Sequence, residues 1–185
     1  MTGKISLFSL GLALATAASG QNTQASAATP PPAPACTAPE HRQFDFWVGY
    51  WDVYPAGQSK IIAHSLIENL YSGCTIRENW RPLSGNNGGS INMYDPGDKR
   101  WHQTWHDSQN SRVEFDGGLA GKEMVLTGFW AGVNGPGKDG LIRMVYTPNA
   151  DGSVRQHGLI STDQGMTWSD SFDFTYKKSA SPPPK

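Results

Sequence analysis

The sequence predicts an all-β fold, an antiparallel up-and-down barrel of about ten strands, on the basis of three observations. Helix-period patterns are scarce across the 185 residues. Short runs of β-branched and aromatic residues recur between clusters of Gly, Pro, Asn and Asp. The links between these runs are short, and such meanders close into barrels because closure removes exposed strand edges. A two-sheet β-sandwich is the alternative.

Each predicted strand is a run bounded by residues that favour turns. The turns at 55–57, 95–98, 116–118 and 149–152 contain Pro, Gly, Asn or Asp, which fix φ or tolerate a positive value. The predicted strands lie near 50–55, 58–68, 73–81, 88–94, 99–106, 111–117, 121–130, 140–147, 153–161 and 166–176.

The N-terminal residues 1–20 predict a signal peptide. Lys4 supplies a positive charge, an apolar run follows, and small residues precede Gln21. The run is shorter than the roughly 20 residues that a membrane-spanning helix needs. We therefore expect a periplasmic or secreted protein with no transmembrane segment after signal cleavage. An uncleaved N-terminal anchor is the alternative.

Composition divides the rest of the chain into a linker, one domain and a tail. Residues 21–40 are rich in Ala, Pro and Thr and are predicted to form a disordered linker, because they hold almost no large apolar side chains. Residues 178–185 form a similar tail. The predicted β-barrel domain is therefore 41–177.

Charge and cysteine content narrow the classes of partner and compartment. The formal charge of −1 becomes −2 once Lys4 leaves with the signal peptide, and neither sign forms a block. Nucleic-acid binding normally requires a basic patch, so no nucleic-acid partner is expected. In an oxidising compartment, Cys36 and Cys74 are expected to form a disulfide. Two buried free thiols are the alternative.

An aromatic segment at 44–53, FDFWVGYWDV, precedes the predicted meander. Its density of rings predicts a short turn or half-helix that plugs one barrel end, followed by the first strand. Gly49, Tyr50 and Trp51 match the G-x-W that opens the first strand of lipocalins.

Three motifs together carry a family resemblance: FDFWVGYWDV at 44–53, GC at 73–74 with ENW at 78–80, and WHQTW at 101–105. Over 36–177 the chain resembles an uncharacterised family of exported bacterial proteins that share an F-D-F-W-x-G-x-W-[DE]-V opening. The resemblance implies a lipocalin-like (calycin-type) barrel and no particular activity.

Two further patterns have structural explanations. Residues 161–168, STDQGMTW, fit the Asp-box, a hairpin turn whose aspartate caps amides. This chain holds it once, whereas sialidase propellers repeat it, so we expect a structural turn. His102 and His106 share a strand face but lie about 13 Å apart at 3.3 Å per residue, too far to share a metal. No metal site and no cofactor are expected.

Alternation along the strands identifies the candidate site. Trp101, Gln103 and Trp105 share one face of their strand, and Glu78 shares a face with Trp80. If the aromatic faces point inward, Gln156 and Asp170 go with them. Interior polar groups need a partner, which is a protein group, water or a ligand. The predicted ligand-binding residues are Glu78, Trp80, Gln103 and Trp105.

These features favour an exported barrel that binds a small, partly apolar molecule in its interior. One alternative is a periplasmic enzyme with Glu78 or Asp170 as general acid or base in the cavity. Another is a filled structural or interaction barrel of the cell envelope. The chain holds no recognisable nucleophile motif or phosphate-binding loop, so an enzyme is the less favoured interpretation.

Overall fold

The computed structural model describes residues 36–180 and Gly3. The predicted signal peptide, the linker up to residue 35 and the tail from residue 181 lie outside the described residues, Gly3 excepted. Three short 3-10 helices are η1 (Pro39–Arg42), η2 (Asp45–Trp47) and η3 (Tyr71–Gly73). The strands are β1 (Gly49–Pro55), β2 (Ala63–Leu70), β3 (Thr75–Pro82), β4 (Gly88–Asp95), β5 (Arg100–Asp107), β6 (Arg112–Ala120), β7 (Glu123–Trp130), β8 (Gly140–Pro148), β9 (Val154–Ser161) and β10 (Ser169–Lys178).

The ten strands form a closed barrel in which every strand pairs antiparallel with its neighbours in sequence. The barrel closes where β1 pairs with β10, in a register that sets Trp51 opposite Lys178 and Pro55 opposite Phe174. The predicted all-β fold is therefore confirmed, and closure excludes the sandwich alternative.

Strand boundaries agree with the prediction to within a few residues. The largest difference is at β2, which begins at Ala63 rather than 58. A turn explains the difference, since the Gln58 amide donates to the Pro55 carbonyl at 3.0 Å and the chain pairs again only beyond it. On both sides the described elements extend beyond the predicted 41–177 domain, because η1 begins at Pro39 and β10 ends at Lys178.

The aromatic segment forms the predicted plug, which we define as residues 39–47. Phe44 and Trp47 are fully buried and stack with ring centroids 5.0 Å apart. The Trp51 indole donates to the Trp47 carbonyl at 2.7 Å, which ties the first strand to the plug. The Lys178 Nζ lies over the Trp51 ring, 3.8 Å from its centroid. Odd-numbered strands run away from this plugged end and even-numbered strands run towards it.

The predicted disulfide is present between Cys36 and Cys74, whose Cα atoms lie 5.1 Å apart. It connects the residue three positions before η1 to the residue that precedes β3. Beside it, the Arg42 guanidinium donates to the Gly73 carbonyl. The covalent bond therefore holds the plug against the start of β3.

Among the described residues, no helix combines the length and apolarity that crossing a membrane requires.

Candidate functional site

A cavity of about 210 Å³ lies inside the barrel beyond the plug. Its outer part, which we call the mouth, is formed by aromatic residues near the strand ends opposite the plug. Two pairs of rings stack there, Trp80 on Phe174 at 5.9 Å and Phe172 on Phe174 at 5.2 Å between centroids. The mouth residues are Trp80, Trp105, Trp130, Phe172 and Phe174, all partly buried.

Two glycines give these rings their space. Gly158 faces Phe172 across the β9–β10 pair, and a Cβ at this position would collide with the Phe172 ring. Gly88 lies against both the backbone of β5 and the Trp105 ring, because a Cβ there would lie 2.5 Å from the His106 carbonyl oxygen and 2.8 Å from the indole. Any larger residue would push the ring aside and change the shape of the mouth.

The inner part of the cavity is polar and forms a closed ring of hydrogen bonds, which we call the polar belt. The Tyr176 hydroxyl donates to Gln156 Oε1 at 2.7 Å, and Gln156 Nε2 donates to the Tyr146 hydroxyl at 3.0 Å. From Tyr146 the ring of hydrogen bonds continues through Gln103 to Asn92 and Ser90 on β4. It then returns to Tyr176 through Glu78. Its members are Ser65, Glu78, Ser90, Asn92, Gln103, Tyr146, Gln156 and Tyr176, all buried.

The belt joins residues from seven of the ten strands. Alternation predicted that Glu78, Gln103 and Gln156 face inward, and they do. Sequence reasoning missed Ser90 and Asn92, although both lie at alternate positions of one strand. It also missed Ser65 and Tyr146, whose ring contacts the plug 4.8 Å from Trp47, whereas alternation had placed Tyr176 on the inward face.

Glu78 is the carboxylate of the belt. Its Oε1 accepts from Ser65 at 3.1 Å and its Oε2 accepts from Ser90 at 3.2 Å. The Tyr176 hydroxyl lies 3.5 Å from Oε1 and shares its single proton between Glu78 and Gln156. Burial raises the pKa of Glu78 to about 7, because desolvation disfavours the charged form more than these three hydrogen bonds favour it. The side chain therefore changes charge near neutral pH.

The two belt tyrosines stay neutral across this range. Burial raises the pKa of Tyr146 and of Tyr176 above the ordinary phenol value, and the nearby Glu78 charge raises both further. They serve as hydrogen-bonding groups between the carboxylate and the glutamine amides.

The orientation of the Gln103 amide follows from a chain of contacts. Asn92 Nδ2 donates to the Ile76 carbonyl at 3.0 Å, and a carbonyl only accepts, so the Asn92 oxygen must face the other way. Gln103 Nε2 donates to that oxygen at 2.5 Å and also contacts the Tyr146 hydroxyl at 3.5 Å. Gln103 Oε1 is left without a hydrogen-bond partner among the described residues.

The mouth also holds an unused donor. The Nε1 atom of Trp105 is buried and has no hydrogen-bond partner in the described part of the chain. Most buried polar atoms in proteins are satisfied, so an exception in a cavity wall marks a position where a bound molecule or water would be held.

The structure brings all four predicted site residues, Glu78, Trp80, Gln103 and Trp105, onto the wall of one cavity. Glu78 and Gln103 belong to the polar belt, and the two tryptophans belong to the mouth. That these residues bind a ligand stays a prediction.

The inward orientation predicted for Asp170 is wrong. Its side chain is 84% exposed and pairs with His157 on the outer face at 2.8 Å. The reason is a β-bulge, since the β9–β10 register shifts between Asp170 and Phe172. One extra residue reverses the alternation for the strand residues before it. Trp168, the residue before β10, lies on the outside as well, where the Arg143 guanidinium is 4.0 Å from its ring centroid.

The STDQGMTW segment forms the expected structural turn. Asp163 accepts from the Thr167 amide at 2.9 Å and from the Thr167 hydroxyl at 2.6 Å. These hydrogen bonds lower the pKa of Asp163 to about 2. Gly165 takes a φ of +90°, and the Trp168 indole donates to its carbonyl at 3.1 Å. The motif residues Ser161, Asp163, Gly165, Thr167 and Trp168 are all held by hydrogen bonds within the turn.

A second polar cluster lies outside the barrel at the β4–β5 turn. Single ligand atoms of Asp95, Asp98 and His102 lie within 4.8 Å of one another. Burial lowers the pKa of His102, but hydrogen bonds to Asp98 and Asp116 outweigh it and raise the pKa overall. Sequence reasoning missed this cluster because it considered His102 with His106 and not with the neighbouring acids.

Comparison with models of known protein families found no match to this chain, and comparison with curated protein sequences found none either.

Proposed function

We propose that this barrel binds a small, partly apolar molecule in its interior cavity. The observation that carries the proposal is the division of the cavity wall into an aromatic mouth and a polar belt. Ligand sites are typically concave and mostly apolar, with a few convergent polar groups that orient the ligand. The mouth rings would supply most of the affinity, and Gln103 and Glu78 would orient the molecule.

Cavity size limits the ligand. A cavity of 150 Å³ accommodates benzene, and drug-sized ligands occupy roughly 300 Å³ or more. At about 210 Å³, this cavity suits one aromatic ring with a short substituent. The same space argues against the alternative of a filled barrel that acts only through its outer surface.

The position of Asp170 bears on the enzyme alternative. A pair of carboxylates in the cavity would favour acid–base catalysis, as in many hydrolases. Glu78 is the one carboxylate among the described residues that line the cavity, and Asp170 lies outside. Binding is the function that this arrangement supports best.

We also propose that the protein works outside the cytoplasm, in the periplasm or the surrounding medium. The predicted signal peptide and the resemblance to exported proteins motivate this location. The Cys36–Cys74 disulfide supports it, since such bonds persist mainly in oxidising compartments.

Native mass spectrometry of the protein isolated from its own periplasm or medium tests the proposal directly. We expect a co-purified species with a mass corresponding to one ring and a short substituent. Titration with 2-phenylethanol, followed by NMR of the protein, provides an independent test. Absence of both a co-purified species and any shift of mouth or belt resonances would contradict the proposal.

A matched pair of variants on β5 tests the role of Gln103. Gln103→Leu should change the affinity for 2-phenylethanol far more than it changes the melting temperature. Thr104→Val, on the outer face of the same strand, should change neither. A large loss of melting temperature with unchanged affinity would instead assign Gln103 to the core.

A further inference from the structure

The polar belt contains a carboxylate without a basic partner. The groups that face Glu78 are Ser65 on β2 and Ser90 on β4, the two strands beside β3, and Tyr176 on β10 across the interior. The only other titratable group of the belt is Tyr146 on β8. No Lys, Arg or His is present among the described residues that line the cavity.

The nearby cations are engaged elsewhere. Lys178 Nζ donates to the Val48 carbonyl at 2.8 Å and lies over the Trp51 ring at the plugged end. Arg77 projects from the opposite face of β3 and pairs with Glu68 outside the barrel at 2.6 Å. A buried carboxylate normally has a cationic or metal partner or else stays protonated, and a bound cation would supply the partner that the described cavity wall lacks.

We infer that the ligand is a small organic cation, an amine attached to an aromatic ring, whose ammonium group pairs with Glu78. The inference rests on the proposed function and specifies its ligand class. An ammonium group has three donors and no acceptor, and the belt offers it acceptors. Glu78 Oε2 receives a single hydrogen bond, and Gln103 Oε1 receives none from the described residues.

The mouth supplies the second half of a cation site. Trp80 follows Glu78 by two residues on the same face of β3, which places their backbones about 7 Å apart. A cation bound at the carboxylate would therefore lie near the Trp80 ring, and a tryptophan face attracts a cation within roughly 6 Å of its centroid. The remaining rings of the mouth would surround the aromatic part of the ligand.

The pKa of about 7 makes this recognition dependent on pH. An alkylamine titrates near the lysine value of about 10.4 and stays cationic below pH 8. Glu78 is about 90% ionised one pH unit above its pKa and about 10% ionised one unit below it. The affinity for the cation is therefore expected to be about tenfold lower at pH 6 than at pH 8. At pH 6, binding of the cation should displace a proton from Glu78.

Three probes of the same shape test the inference: 2-phenylethylamine, 2-phenylethanol and phenylacetate, which carry a cation, a neutral hydroxyl and an anion. We would measure their affinities by calorimetry at pH 8 and pH 6. At pH 8 the amine should bind at least tenfold tighter than the alcohol, and phenylacetate should bind most weakly. At pH 6 most of the advantage of the amine should be lost.

The variant Glu78→Gln keeps the shape of the side chain and removes its charge. It should bind the amine and the alcohol equally, at both pH values. Thr104→Val on the outer face of β5 serves as the control and should retain the preference for the amine. The comparison of probes on the natural protein tests the inference even if Glu78→Gln fails to fold.

The outcomes separate the inference from the proposed function. If the alcohol binds as tightly as the amine at pH 8, or phenylacetate binds best, the cation inference is overturned while cavity binding stands. If none of the three probes binds at millimolar concentration, the cation inference fails, and the proposed function fails with it if no ligand co-purifies either. A preference for the amine that is the same at pH 6 and pH 8 would overturn the role of Glu78.

Discussion

The two ends of the barrel interior contain the same kind of side chain packed in different ways. At the plugged end, Phe44, Trp47 and Tyr146 are fully buried, with ring centroids 4.8–5.0 Å apart. At the mouth, Trp80 and Phe174 are partly buried and border a cavity of about 210 Å³. The difference arises because the segment before β1 fills only one end. The ten strands form the barrel, and the position of the plug determines which end of the interior is filled with packed side chains.

Truncating one phenylalanine at each end should give the largest contrast in stability. Phe44→Ala should lower the free energy of unfolding by about 3–5 kcal/mol, because it opens a void in solid packing. Phe174→Ala should cost less than half as much, since this ring already borders empty space and is partly exposed. Urea unfolding of both variants measures the difference. Equal losses would mean that the mouth is packed as tightly as the plug.

Removing the disulfide should loosen the plugged end selectively. The double variant Cys36→Ala and Cys74→Ala should lose about 3–4 kcal/mol in the chain-entropy model. Hydrogen exchange should speed up most at η1 and η2, because the bond holds this region against β3. The control is the mouth side of β9 and β10, where exchange should change only as far as global stability does. Uniform acceleration would show that the plug and the strands unfold as one unit.

Titration of Glu78 should produce a pH dependence that Glu78→Gln abolishes. The folded state raises the pKa from 4.5 to about 7, so it binds the proton more tightly than the unfolded chain does. Stability should therefore fall as pH rises from 4.5 to about 7 and then level off, with a total loss of about 3 kcal/mol at 1.36 kcal/mol per pKa unit. Chemical unfolding across this range, compared between the two proteins, isolates this contribution.

The smallest expected effect belongs to the acid on the outside. Asp170→Asn removes a carboxylate that is 84% exposed, so stability should stay within about 0.5 kcal/mol of the natural protein. A loss of stability as large as that expected for a buried charged group would mean that Asp170 lies in the interior, which would contradict the bulge.

Local pattern was enough to predict the strands and the plug, and the cysteine count together with the export signal predicted the disulfide. Period-two alternation placed Glu78, Trp80, Gln103 and Trp105 on inward faces, since each lies in a regular strand where neighbouring residues point to opposite sides. The same rule failed at Asp170. A bulge is a property of the pairing between two strands, and the residues of one strand do not reveal it.

The amino-acid sequence by itself determined the fold class and the inward faces, because hydrophobic periodicity and turn chemistry act between residues close in the chain. Tertiary structure alone decided what those faces enclose. Tyr176 reaches Glu78 across 98 residues of sequence, and the belt exists only because closure of β1 onto β10 brings distant strands together. The cavity is likewise the volume that the side chains of the ten strands and the plug leave unfilled. Its size therefore depends on how the whole interior packs.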